Sequence, residues 1–276
     1  RMSKLMTPFV DRQPTFNELE RLRLILSTYQ DGSGMLVPKS KRGRQWMEQN
    51  NAITLPGWRD FERSVAAALG GIGTESKFIY DVVLGDQHTD EERIGISCKM
   101  RSELRKVTKQ GRASIEVANA SGEFWDTIKR QTRLNEDNYM SAPALIGAVL
   151  LTVVEGWHKA ATSSVYGRIS QEKSFYLNLL WDSQSGEYLL LQFPIHLPDA
   201  AALKWPVAGR RLIGCDDKGV LLEWYGHSGG QLKYYPHISQ ALWMSNTFRL
   251  EPLPANPSHL LTDKAAAYFP GKWPSM

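Results

Sequence analysis

Phe78-Ile79-Tyr80-Asp81-Val82-Val83-Leu84 and, after a polar turn, Ile94-Gly95-Ile96-Ser97-Cys98-Lys99-Met100 are the segments that decide the fold. Both are short apolar runs rich in Val and Ile, and each has the character of a β-strand. Successive side chains of a strand point to opposite faces. Asp81 therefore shares a face with Ile79 and Val83. In the second run Ser97 and Lys99 share one face, while Ile94, Ile96, Cys98 and Met100 share the other. An antiparallel pairing centred on Thr89 sets Asp81 opposite Ser97, with Lys99 one step along the same face. A carboxylate and an ammonium inside apolar strands are costly to bury unless they pair or hold a cation. The ordinary outcome for such a couple is a buried ion pair or a half-exposed sheet face.

The flanking residues favour the cation. In the helical stretch 58–69, closed by Gly70-Gly71, Glu62 stands at i, i+3, i+4 and i+7 with Val65, Ala66 and Leu69, so it faces inward. Two acids converging near a lysine make an oxygen-rich site suited to Mg²⁺. Behind the second strand come Arg101, Arg105, Lys106, Lys109 and Arg112. Alone they would form a solvated basic loop, but beside a metal site they suit a phosphate cradle. A third strand at 114–118 then precedes a helix capped by Ser121 and carrying Phe124, Trp125 and Ile128.

At these residues, over about 58–134, the sequence resembles the PD-(D/E)xK nuclease superfamily, in particular type II restriction endonucleases. That family has a helix bearing an acid, then a hairpin with Asp on one strand and acid-x-Lys on the next. Phe61-Glu62 matches the helix acid, Asp81 the hairpin aspartate and Lys99 the lysine. Ser97 stands where the family usually has Glu or Asp, and Tyr80 stands in place of the proline. Some restriction enzymes carry Ser-x-Lys and supply the carboxylate from elsewhere; Glu62, Glu116 and Glu123 are the candidates here.

The resemblance implies a mixed α/β (α+β) fold, with a central sheet flanked by helices and a β-rich C-terminal part. It implies catalytic roles for Asp81, Lys99, Glu62 and Ser97. Asp81, the Cys98 backbone carbonyl, Glu62 and Glu116 would serve as Mg²⁺ ligands against a scissile phosphate of double-stranded DNA. Lys99 would position or deprotonate the attacking water and offset charge on phosphate oxygens. Many such enzymes read palindromes, which a two-fold homodimer matches most simply.

Outside this core, Thr15-Phe16-Asn17-Glu18 forms a helix-capping box, and Phe16, Leu19, Leu22, Leu26 and Tyr29 follow at helical spacing. Their stripe suits a dimer seam or packing on the chain's own core. Lys39, Lys41, Arg42 and Arg44, between Pro38 and Trp46, make a basic stretch suited equally to a solvated loop and to a phosphate-contacting arm. The apolar run 142–154 fits a buried helix or strand and is well short of the roughly 20 residues that span a bilayer. Runs at 176–181 and 188–193 flank the turn Asp182-Ser183-Gln184-Ser185-Gly186, a hairpin pattern. From Arg210 onward strands and turns alternate. Lys233, Tyr234 and Tyr235 follow the Gly229-Gly230 turn, where a β-ribbon can present polar side chains to base edges. The division expected is 1–50 for an N-terminal helix and basic arm, 51–195 for the catalytic core, and 196–276 for a recognition or support subdomain ending in a Pro-rich tail.

The chain has 276 residues, 42% of them hydrophobic and 22% charged, which excludes a disordered or collagen-like protein. Its net charge of +4 is too small to prove a nucleic-acid partner, but it excludes a strongly acidic protein that would repel phosphate. Two cysteines in unlike contexts argue against a disulfide framework or a Cys-based zinc site, and for a cytoplasmic location. No HxH or HExxH spacing, phosphate-binding Gly-rich loop or secretory segment is visible, so no nucleotide cofactor and no membrane association are expected. The expectation is a Mg²⁺-dependent type II site-specific deoxyribonuclease. The alternatives are an inactive DNA-binding protein of the same fold, for which Ser97 argues, and a small-molecule enzyme using a buried Asp–Lys pair.

Overall fold

The computed structural model of the chain describes residues 6–74, 78–86, 90–254 and 261–274. The first third holds α1 (Phe16–Thr28), α2 (Lys41–Gln49), α3 (Trp58–Leu69), β1 (Ile72–Gly73), β2 (Val82–Leu84) and β3 (Arg93–Arg101). Next come α4 (Leu104–Gln110), β4 (Ile115–Asn119), α5 (Ser121–Thr132) and α6 (Pro143–Ala161). The hairpin β5 (Ile169–Asp182) and β6 (Glu187–Pro194) follows. The remainder is β7 (Val207–Ala208), β8 (Arg211–Asp216), β9 (Gly219–Trp224), β10 (Gln231–Tyr234), β11 (Trp243–Met244), β12 (Phe248–Arg249) and α7 (Leu261–Tyr268). The fold is mixed α/β.

A seven-stranded sheet runs β1-β2-β3-β5-β6-β11, with β12 also on β6; β3 and β5 pair in parallel, the other neighbours antiparallel. Val82 pairs with Ile96 and Leu84 with Ile94, the register expected for a hairpin about position 89, although Thr89 itself lies outside the described residues. One face carries Val82, Leu84, Ile94, Ile96 and Cys98 and is covered by Leu22 and Leu26 of α1 and Phe61, Val65 and Ala68 of α3. Each buried Val, Leu, Ile or Phe among them contributes about 1.5–3 kcal/mol relative to exposure. Of the apolar stripe of α1, Leu22 and Leu26 are thus spent inside the molecule, whereas Phe16 at its N-terminal end is exposed. The other face carries Val83, Tyr176, Leu180 and Leu191, packed with Tyr80, Leu104, Val107 and Ile115.

A second, antiparallel sheet runs β4-β10-β9-β8-β7 and packs with α5 and α6 around Phe124, Trp125, Ile146, Leu150 and Trp224. The run 142–154 is therefore helical. Pro143 opens it, and it continues to Ala161, a helix long and apolar enough to cross a membrane by length and composition alone. Here Ile146, Val149, Leu150, Val154 and His158 are buried against protein.

The structure differs locally from the sequence expectations. Residues 41–49 and 104–110, expected as basic loops, are helices. Ser40 caps the first through Gly43, and each helix buries only a narrow strip: Gly43 and Met47, then Leu104 and Val107. Asp81 lies just ahead of β2 rather than within a strand, and Ser121 is the first residue of α5, its cap being Ala120. Nor does the chain divide at 195: β4 pairs with β10 of the second sheet, and β11 and β12 return to β6 of the first.

Candidate active site

Asp81 is held at the frayed start of β2 by three backbone bonds. Its N–H donates to the Ile96 carbonyl (2.9 Å), and its carbonyl accepts from the Thr74 N–H (3.1 Å). Its carboxylate Oδ2 accepts from the Cys98 N–H at 2.7 Å. In an antiparallel ladder the N–H and C=O of one residue turn to the same side. The Cys98 carbonyl therefore faces the edge where the Asp81 carboxylate lies. Burial pushes the Asp81 pKa up, while the Lys99 charge, the Cys98 amide and the Ser97 hydroxyl pull it back. Lys99 is half-buried one step along the same face. The ion pairs of this region engage Arg101, Arg105 and Arg112 rather than Lys99.

Two concavities meet at Asp81. A cleft of about 780 Å³ is lined by Asp81, Lys99, Glu116, Glu123 and Trp157. A groove of about 680 Å³ on the α3 side is lined by Trp58, Arg59, Glu62, Arg63, Thr74 and again Asp81. Glu62 is half-buried, and its pKa is pushed up to about 7 by burial and by the negative charge of Asp81, against the pull of Lys99, Arg59 and Arg63. Glu62 thus feels both Asp81 and Lys99, although α3 packs on the opposite sheet face from Lys99.

Among the described residues no three His, Cys, Asp or Glu side chains converge as a ready ligand cluster. The donors at hand are the Asp81 carboxylate, the Cys98 carbonyl and the Glu62 carboxylate, all oxygen. That set fits Mg²⁺, which commonly takes one or two carboxylates and completes its shell with water and substrate phosphate. Two mutually repelling acids, one of them protonating near pH 7, are the electrostatics a divalent cation relieves. Glu116 lies on β4 of the other sheet, loosely paired with Arg101 (3.4 Å). Glu123 is exposed on α5 and accepts from the Trp157 indole N–H (2.8 Å). Ser97 is buried and serves Asp81.

The basic residues divide into an exposed group on α2 and α4 and a group tied down within the fold. Lys41, Arg42 and Arg44 of α2, and Arg105, Lys106 and Lys109 of α4, are exposed. Arg42 (3.5 Å) and Arg105 (3.0 Å) both reach the Gln184 side-chain oxygen in the β5–β6 turn, so segments far apart in sequence form one basic surface there. Arg105 also pairs with Asp182 at 2.8 Å. Asn178, the β5 neighbour of Lys99, is four residues from Asp182, about 13 Å of strand.

Arg112, by contrast, is spent on Asp216 (2.7 Å) and the Tyr235 carbonyl (2.8 Å). The C-terminal trio is engaged as well. Tyr234 packs into the core, Tyr235 donates to Glu223 (2.8 Å), and Lys233 lies 4.8 Å over the Tyr225 ring. Lys233 also stands opposite both Glu116 and Glu223, within a row of alternating charges.

The structure adds a residue that the sequence reasoning passed over. Asn178 is fully buried beside Lys99, and both polar atoms of its amide lack a hydrogen-bond partner among the described residues. Its signal was present: one polar residue inside Tyr176-Leu177-Asn178-Leu179-Leu180. No protein-family model matches the chain, and no curated protein or solved structure matches it.

Proposed function

We propose that the chain is a Mg²⁺-dependent endonuclease that hydrolyses phosphodiester bonds of double-stranded DNA at a short specific sequence, in the manner of type II restriction enzymes. The observation that carries this reading is the Asp81 carboxylate at the junction of two grooves, fixed by the Cys98 amide at 2.7 Å, with Lys99 one step along the same face. Asp81, Glu62 and the Cys98 carbonyl would hold the ion, whose charge would polarise the phosphate and an adjacent water. Lys99 would orient that water and offset charge growing on the phosphate oxygens. The exposed bases of α2 and α4 supply sequence-independent phosphate contacts. A homodimer acting in the cytoplasm completes the proposal; both cysteines are free thiols, as a reducing compartment requires.

The second reading is a DNA-binding protein of this fold without catalysis. Ser97 favours it, because it stands two residues before Lys99, where a second carboxylate would be expected. Incubating plasmid and genomic DNA with the protein in Mg²⁺ or in EDTA separates the two. Mg²⁺-dependent discrete fragments support the nuclease. A salt-sensitive gel shift with no cleavage in any divalent ion supports the binder.

A further inference from the structure

Tyr80 stands immediately before Asp81, where the resembled family has proline. A proline at that place stiffens the chain by fixing its own φ. Tyr80 is tied from several sides instead. Its ring lies flat on Gly95 of β3, so closely that a Cβ at position 95 would come within 2.2 Å of it. Its backbone carbonyl accepts from the Thr74 hydroxyl. Its own hydroxyl, fully buried, is hydrogen-bonded to Nδ1 of His158 at 3.1 Å and also to the Ser174 side chain of β5. His158 is also buried, in the last turns of α6, next to Trp157, which lines the cleft and holds Glu123.

No step proposed for hydrolysis uses this tyrosine–histidine pair. A core that only needed filling would be served by Phe and Leu without the cost of burying two polar groups.

We propose that Tyr80 and His158 are positioning residues for Asp81: the hydrogen bond from α6 fixes residue 80 against β3 and so sets where the next carboxylate stands between the two grooves. The proposal rests on the nuclease reading for what Asp81 holds. Buried hydrogen bonds that orient a metal ligand typically govern 10–100-fold in metal affinity.

The test uses the full chain and the variants Tyr80→Phe, His158→Ala and His158→Asn, the last restoring a polar atom at the Nδ1 position. Mn²⁺ affinity is measured calorimetrically without DNA, with Mg²⁺ dependence of cleavage, DNA binding in Ca²⁺ and thermal unfolding alongside. Tyr80→Phe and His158→Ala should bind Mn²⁺ about 10-fold more weakly. They should need correspondingly more Mg²⁺ to cleave and should keep their DNA affinity in Ca²⁺; His158→Asn should recover most of the loss. Unaltered Mn²⁺ affinity in Tyr80→Phe overturns the proposal and leaves the nuclease reading standing. Equal losses in His158→Ala and His158→Asn that track a lower unfolding temperature also overturn it, because the pair would then be structure alone. If the unaltered chain neither binds Mn²⁺ nor cleaves DNA, the nuclease reading falls and this proposal with it.

Discussion

At the scale of residues, Glu62 and Asn178 carry opposite kinds of stored cost. Glu62 holds its proton more tightly when folded, about 7 against an ordinary 4.5. Its favourable contribution is therefore complete below the unfolded value and is lost as pH rises through 7. Without divalent ions, thermal stability should decline from pH 5.5 to pH 8, and Glu62→Gln should flatten that slope. Half-exposure keeps the effect modest. Added Mg²⁺ should oppose the decline in the unaltered chain more than in Glu62→Gln; a slope unaffected by the substitution would remove Glu62 from the site. Asn178 buries an amide with no hydrogen-bond partner among the described residues beside Lys99, and leaving such a group unpaired costs about 1–3 kcal/mol. Asn178→Leu should accordingly raise the unfolding temperature while slowing cleavage, measured by calorimetry and single-turnover kinetics. A stabilised variant of full activity would make Asn178 irrelevant to Lys99.

At the scale of elements, the helices α2 and α4 show why part of the fold was hidden. α1 and α3 were legible at their ends, because Thr15 and Glu18 form a capping box and Gly70 takes the left-handed conformation that stops α3. α2 and α4 bury only two residues each, so their charges obscured the helical period. β5 extends back to Ile169 through the polar run Ser170 to Lys173, and two-residue strands such as β11 carry no period at all. The register that sets Val82 opposite Ile96 was legible because alternation fixes register within a hairpin. The meeting of Arg42 and Arg105 at Gln184 depends on tertiary packing and leaves no local trace.

The two kinds of base on and after α4 should behave differently when changed. Neutralising Lys106 or Lys109 should weaken DNA binding for all sequences alike and reduce the salt dependence by about one counterion each, read from affinity against salt concentration. Arg112→Ala should instead destabilise the fold by roughly 1.5–3 kcal/mol, since it strips charged hydrogen bonds from Asp216 and the Tyr235 carbonyl. Denaturant unfolding would expose a stable Arg112→Ala as evidence against that structural role.

At the scale of the whole molecule, strands from beyond residue 195 complete sheets begun before it, across the boundary that the sequence suggested there. A chain ending at 195 would lack β10 beside β4 and β11 and β12 beside β6, leaving open edges over an apolar interior. It should fail to give a cooperative unfolding transition by circular dichroism. The stretch from α3 to β3 brings Glu62, Asp81 and Lys99 within electrostatic reach of one another. The direct test of the central claim is cleavage of plasmid and genomic DNA in Mg²⁺ by the unaltered chain and by Asp81→Ala and Lys99→Ala, with DNA binding in Ca²⁺ measured on the same preparations. Loss of cleavage in both variants, with binding retained, is the predicted result; full cleavage by both would contradict the account.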